Sequence, residues 1–387
     1  MDFSFNEDQQ LISETASTFL ASVSDSAAVR AAMETPLGYD SNLWQRITGE
    51  MGWQLTHIPE QQNGLGLGYV EFCILHEQAG KHLLCAPFLS STALAVSALL
   101  CASTQAAKSL LAENSLNNEL LTLAYASNQR MLPSQDVVDS LGCSYVKNAN
   151  GYQLNGTCHY VIDGHSAEKI LVAARSDRNV ALFVISADAI GLSRNRTPTM
   201  DQTRKLARLD LRDLEVEHDQ CLVVDDGQVL SDTLALACIA LAAEQTGVAE
   251  RCLDLAVTYM GERKQFGRVI GGFQALKHKA ADMLNKIEAA RSATYYAACI
   301  ADEFLSGGSL AGELHEAASI AKSYSCDAAF YCAGSSLQLH GGVGFTWEYD
   351  VHLYFKRAKA SQLAFGDSAW HRERIATLLL DNAGGAS

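Results

Sequence analysis

The chain has 387 residues with a formal net charge of −15, and 48% of them are hydrophobic against 19% charged. That is enough to bury a large core in two or three domains, and it excludes a disordered chain. The acidic balance excludes nucleic acid and anionic membrane surfaces as natural partners, while a local basic pocket could still hold a small anion.

The N-terminal segment MDFSFNEDQQ has neither a basic nor an apolar secretory region. No uninterrupted apolar run nears the ~20 residues of a membrane span. The eleven cysteines are scattered without C-x-x-C or zinc spacing, which suits reduced, buried thiols. A cytoplasmic protein with no membrane or nucleic-acid partner is expected.

The first third reads as helical. Asn6 with Gln9 three residues on has the pattern of a capping box, and Leu11, Ile12, Ala16, Phe19 and Leu20 recur at helical spacing. The turn Asn63 to Gly68 precedes an apolar helix expected to run through Leu75 and Leu83 to Cys85. With no strand before it and no lysine after it, that glycine stretch reads as a plain turn and not as a phosphate loop.

From about residue 120 short strand-like runs follow one another: Leu121 to Ala126, Ser144 to Asn148, Cys158 to Ile162, Ile170 to Ala174 and Val180 to Ser186. Turn pairs at Asn150-Gly151, Asn155-Gly156 and Asp163-Gly164 separate them, which predicts a small antiparallel barrel or sandwich. Asp225-Asp226-Gly227 marks its end. Long helical stretches then run over Leu234 to Tyr259, Phe273 to Phe304, Ala311 to Gln338 and Ser368 to Leu380. The predicted class is α+β: a helical domain over 1–119, a β domain over 120–225 and a helical bundle over 226–387.

Two segments of the last third carry chemistry. One is Glu262-Arg263-Lys264-Gln265-Phe266-Gly267-Arg268 with Phe273-Gln274; the other is Gln338-Leu339-His340-Gly341-Gly342-Val343-Gly344-Phe345. An arginine fork matches a diphosphate bidentately. Paired glycines let backbone N–H groups approach phosphate oxygens, and glutamine amides can serve ribose or flavin edges. Each segment alone could be a solvated helix end or a simple turn.

Together they resemble the R-x-x-F-G…F-Q and Q-x-x-G-G-x-G-F signatures of acyl-CoA dehydrogenases, and length and α–β–α order match that family over nearly the whole chain. The resemblance implies an N-terminal helical domain, a middle β-barrel or sandwich and a C-terminal four-helix bundle. It implies FAD, an acyl-CoA substrate, and electrons passed to an electron-transfer flavoprotein. The assembly would be a homotetramer, or a heteromer with a second chain of the family. Arg263, Gln265, Phe266, Gln274, Gln338, Leu339, His340, Gly341 and Gly342 would hold the adenosine-diphosphate part, largely of a neighbour's flavin. Tyr160, Ile162 and Gly366 would face the flavin or substrate.

Two departures stand out. The family's Thr-Glu-Pro-Gly loop reads Leu123 to Gln129 here, and Ile162 brings no hydroxyl where the family has threonine. The catalytic glutamate of a Glu-Gly-Thr turn aligns with Phe365 of Phe365-Gly366-Asp367, and phenylalanine cannot take the α-proton. Two carboxylates are candidate replacements. Glu244 is the one acid between Asp232 and Glu250 in an otherwise apolar helix. It lies seven residues, or ~10 Å along the axis, beyond Ala237, which matches the base of the isovaleryl-CoA branch. Asp367 precedes the last helix, where an ordinary N-cap is the alternative. The readings are α,β-dehydrogenation of a bulky or dicarboxylic acyl-CoA, a non-catalytic partner subunit that completes another chain's FAD site, and a flavin monooxygenase or nitroalkane oxidase.

Overall fold

A computed structural model of the chain describes residues 5–127 and 137–384, with side chains described to residue 380. The first layer is helical: α1 (Glu7–Val23), α2 (Ser26–Glu34), α3 (Ser41–Gly49) and α4 (Tyr69–Lys81), then a π-helical stretch (Leu89–Val96) running into α5 (Ser97–Ala102), and α6 (Gln105–Asn117). The capping box at Asn6 and Gln9 forms on both sides. The helix expected to reach Cys85 stops at Lys81, because Leu83 takes a left-handed φ of 50° that no helix continues.

The middle of the chain folds into one eight-stranded sheet: β1 (Leu121–Ala124), β2 (Cys143–Lys147), β3 (Gly151–Ile162), β4 (Lys169–Ser176), β5 (Asn179–Ser186), β6 (Leu192–Thr197), β7 (Leu206–Glu217) and β8 (Cys221–Asp225). The order is β6-β7-β3-β2-β4-β5-β8, with β1 also on β4. Pairing is mixed and not wholly antiparallel: β1 and β2 both run parallel to β4. Asn155-Gly156, expected as a turn, is a bulge inside β3, where the register against β7 shifts between Leu154 and Gly156.

The remainder is helical: α7 (Gln228–Glu262), a hairpin of β9 (Lys264–Gln265) and β10 (Arg268–Val269), then α8 (Gln274–Ser306), α9 (Leu314–His340), α10 (Val351–Leu363) and α11 (Ser368–Gly384). α7 is the one described helix long and apolar enough to cross a membrane, and it is instead the buried axis of the core. An unbroken run from Thr233 to Ala249 is buried on every face. α4 crosses it at backbone distance through two glycines. A Cβ on Gly80 would stand 1.9 Å from the Glu244 carbonyl oxygen, and one on Gly247 the same distance from that of Glu77. This reciprocal contact fixes the level at which Glu244 leaves the helix.

Three histidines are sealed into this core. His57 and His76 lie among Phe72 and Phe88, with His57 4.0 Å from Phe72 and His76 stacked 4.4 Å from Phe88. No ring nitrogen of His57 or His76 finds a partner among the described residues. Burial drives His57, His76 and His371 down to about 3. Their folded values lie below the unfolded one, so they contribute stability above about pH 6.5 that is lost as pH falls toward 3. Asp302, pushed up to about 6 by burial, opposes this below pH 6. Unfolding free energy is therefore expected to fall as pH drops from 6 to 5, each buried ring contributing up to about 1.4 kcal/mol per pH unit. Urea midpoints across that range check it, and a flat midpoint would contradict the burial of these rings.

Candidate functional site

Between the sheet and the turn joining α10 to α11 lies a cavity of about 310 Å³. Tyr160 and Ile162 of β3 form part of one wall; the loop from β6 to β7 brings Thr199, Asp201 and Arg204; Ala364 and Phe365 close it from the α10–α11 turn. Two aromatic residues here have backbone conformations that side chains seldom adopt. Tyr160 and Phe365 both have φ 58°, and each costs about 1 kcal/mol or more. Tyr160 sits where the β3–β7 register shifts between Cys158 and Val161. Both strained residues face one cavity, as expected where backbone is shaped for a site.

The turn carrying Phe365 is held from three sides. Lys322, fully buried, donates from Nζ to the carbonyls of Gln362 (3.3 Å) and Gly366 (3.0 Å). The His371 ring donates from Nε2 to the Phe365 carbonyl at 3.2 Å. Gly366, with φ 104°, permits the reversal. Asp367 closes the set as the cap of α11, its Oδ1 accepting from the Trp370 N–H at 2.8 Å. Asp367 therefore serves the helix end and is not among the residues lining the cavity. Of the two readings of Asp367, base and N-cap, this geometry fits the cap.

Glu244 is buried, as its surroundings in α7 require. Its Oε2 accepts from Arg204 Nη2, and its Oε1 lies 3.3 Å from Arg357 Nη1. Arg357 also faces Asp201, 3.3 Å from Oδ2, while its Nε donates to Thr203 Oγ1 at 2.8 Å. Burial pushes the Glu244 carboxyl up, but the two guanidiniums outweigh it and hold it below the ordinary carboxylate value. A carboxylate so stabilised is a poor proton acceptor. Arg204, and not Glu244, lines the cavity. Sequence reasoning picked out Glu244 as unusual and missed the three residues that explain it.

The residues expected to hold adenosine diphosphate gather elsewhere. α7 and α9 run the same way along the bundle, so their C-terminal ends meet, and the rings of Tyr259 and His340 stack there at 4.4 Å. Arg263 at the end of α7 and Gln265 on the β9–β10 hairpin stand in the open, and Phe266 is 91% exposed. Gln274 opens α8, while Gln338, Leu339 and His340 form the last turn of α9. His340 is anchored through Nδ1 to the Ser336 carbonyl at 2.8 Å. Beyond it Gly341 has φ 64°, and no atom lies within 4 Å of where a Cβ on Gly341 or Gly342 would stand.

None of these residues lines the cavity, so the two expected halves of the flavin site stand apart. The bundle end fits the diphosphate of FAD: an exposed arginine, open glycine backbone and an exposed aromatic ring. The β wall fits the flavin ring less well. Tyr160 can stack, but Ile162 supplies only carbon, and Asn128 and Gln129 of the altered loop lie outside the described residues.

Models of the acyl-CoA dehydrogenase N-terminal and C-terminal domains match residues 6–114 and 225–380. Acyl-CoA dehydrogenase IpdE2 of Mycobacterium tuberculosis is 36% identical over 357 residues, 92% of each chain. A variant of the Tcur3481-Tcur3483 steroid ACAD superposes with a TM-score of 0.84 at 29% identity, over 98% of this chain and 99% of that one. The ChsE4-ChsE5 complex from Mycobacterium tuberculosis gives 0.87 at 25% identity, over 98% and 99%. The fold and site thus define a flavin-dependent oxidoreductase acting on CH–CH groups. This chain belongs to the acyl-CoA dehydrogenase family.

Proposed function

We propose that this chain is one of two unlike subunits of an acyl-CoA dehydrogenase for bulky acyl groups. Its bundle end would grip the adenosine-diphosphate part of the FAD bound in its partner's site, and the partner would supply the carboxylate that removes the α-proton. Electrons would leave to an electron-transfer flavoprotein. The observation that carries this reading is Phe365, held in the family's base position by Lys322 and His371 and facing the cavity.

The nearby acids do not replace it. Glu244 is bound by two guanidiniums, Asp367 caps α11, and Asp201 is held through Oδ1 by the N–H and hydroxyl of Thr203. Bound FAD supplies an acceptor for the hydride that leaves the substrate β-carbon. For that flavin, Arg263 would meet the diphosphate bidentately, Gly341 and Gly342 would offer backbone N–H groups, and Gln265, Gln274 and Gln338 would hydrogen-bond its polar edges. Phe266 would cover the exposed side of the nucleotide. The relatives named as two-chain assemblies, ChsE4-ChsE5 and Tcur3481-Tcur3483, lend support to a heteromer, and the latter's description as a steroid ACAD supports a bulky acyl group.

Enoyl-CoA formation separates this from an autonomous enzyme. The chain purified alone should form none, and the chain with its partner should form it without consuming oxygen. Enoyl-CoA from the unmodified chain alone would overturn the proposal.

A further inference from the structure

We infer that Cys143 and Cys158 are a modification site of this chain: a thiol pair that peroxide converts into a disulfide across β2 and β3. The pair lies wholly within this chain, so the inference stands apart from the two-subunit reading. A strand-to-strand turn separates the two residues in sequence, and only the fold brings them together. Their Sγ atoms stand 3.4 Å apart, and both residues are buried. No other two of the eleven free cysteines are in sulfur-to-sulfur contact among the described residues.

The backbone makes the contact. Cys143 opens β2 and pairs with Gly156, so Cys158 lies two places further along β3, on the same face. A Cβ on Gly156 would stand 2.3 Å from the Gly142 carbonyl oxygen and 2.7 Å from the Cys143 Cα, so glycine lets the strands close up here. The Gly142 carbonyl accepts from the Thr157 N–H at 3.0 Å, and the Ala126 carbonyl from the His159 N–H at 2.8 Å. These bonds hold the backbone beside both sulfurs. Closing the contact to the ~2.05 Å of a disulfide is left to rotation of two side chains.

The two sulfurs are unequal. The bond to Cys143, together with burial, holds the Cys158 thiol well above its ordinary range, so Cys158 keeps its proton and donates it toward Cys143. Cys143 is the attacking sulfur. It bonds one oxygen of hydrogen peroxide, the O–O bond breaks, and the departing hydroxide leaves as water with the Cys143 proton. The resulting sulfenic acid is attacked by the Cys158 sulfur, its S–O bond breaks, and the second hydroxide leaves as water with the Cys158 proton. Two thiols thus give up two electrons, and one peroxide becomes two waters. Peroxide is what a reduced flavin yields with oxygen, so the oxidant arises where this family's cofactor works. Neither sulfur is open to solvent, and fraying at the start of β2 gates the step. The disulfide would tie β2 to β3 two residues before Tyr160, whose strained backbone stands in the cavity wall, and so lock that wall.

Peptide mapping of the full-length chain in its native assembly, treated with hydrogen peroxide and then alkylated, tests the site. Cys143 and Cys158 should appear in one pair of linked peptides, lighter by two hydrogens and separated by dithiothreitol. In Cys158→Ala the sulfenic acid of Cys143 should persist and be captured by dimedone, while Cys143→Ala should leave Cys158 uncaptured. Amide exchange at Thr157 and His159 should slow about 10-fold on oxidation and recover on reduction. Oxygen gained by the half-buried Cys101, Cys221 and Cys299 with no linked peptides would overturn the site. So would oxygen added to Cys143 and Cys158 without a link between them. Dimedone on Cys158 in place of Cys143 would overturn the order of attack, and a link that leaves both exchange rates unchanged would overturn the lock.

Discussion

Arg263→Ala is expected to strip the assembled complex of most of its FAD while leaving the chain's fold intact. The side chain is exposed at the end of α7, just before the β9–β10 hairpin, and has no ion-pair partner among the described residues, so its removal disturbs no packing. Two charge-assisted hydrogen bonds to a diphosphate contribute about 3 kcal/mol together, close to a 100-fold loss of flavin affinity. Flavin absorbance after gel filtration, with the thermal midpoint of the apoprotein as control, reads both parts. Full occupancy at unchanged stability would show that the hairpin does not hold the nucleotide.

Glu244→Gln is the second large effect, and it falls on stability. The amide would leave Arg204 with only the Ser361 hydroxyl and Arg357 with Asp201 as its one remaining anion beside its bonds to Thr203 and Leu84, deep beneath the α4–α7 contact. Breaking a buried ion pair from one side costs about 3–5 kcal/mol. Denaturant midpoints should fall accordingly, while enoyl-CoA formed per bound flavin in the surviving complex stays at the level of the unmodified protein. Turnover lost at full flavin occupancy would instead make Glu244 the base.

What the sequence made legible was whatever is local. The Asn6 and Gln9 cap, the long apolar α7 and most of the helix lengths follow from spacing within one turn or one helix. The sheet was read less well. β6 is a short, polar strand beside β7, with no apolar run to announce it, and the bulge at Asn155-Gly156 has the residues of a turn. Parallel pairing of β1 and β2 with β4 is set by the path of the chain and leaves no local trace.

The site followed the same division. Phe365 was found by alignment of a motif, and its strained backbone and Lys322 clamp came only with the fold. The quartet of Asp201, Arg204, Glu244 and Arg357 draws on three distant stretches of sequence. Arg357 stands in Lys356-Arg357-Ala358-Lys359, which reads as a solvated cationic patch, yet it is only 2% exposed. An acid alone in an apolar helix was the single signal, and a search for arginines able to reach it would have been the way to follow it.

If two unlike chains share one flavin site, native mass spectrometry of the purified complex, counting chains and FAD in the same ion, should find one FAD for every two chains, one of each kind. One FAD in every chain, or a homo-oligomer of this chain fully loaded with flavin, would contradict it.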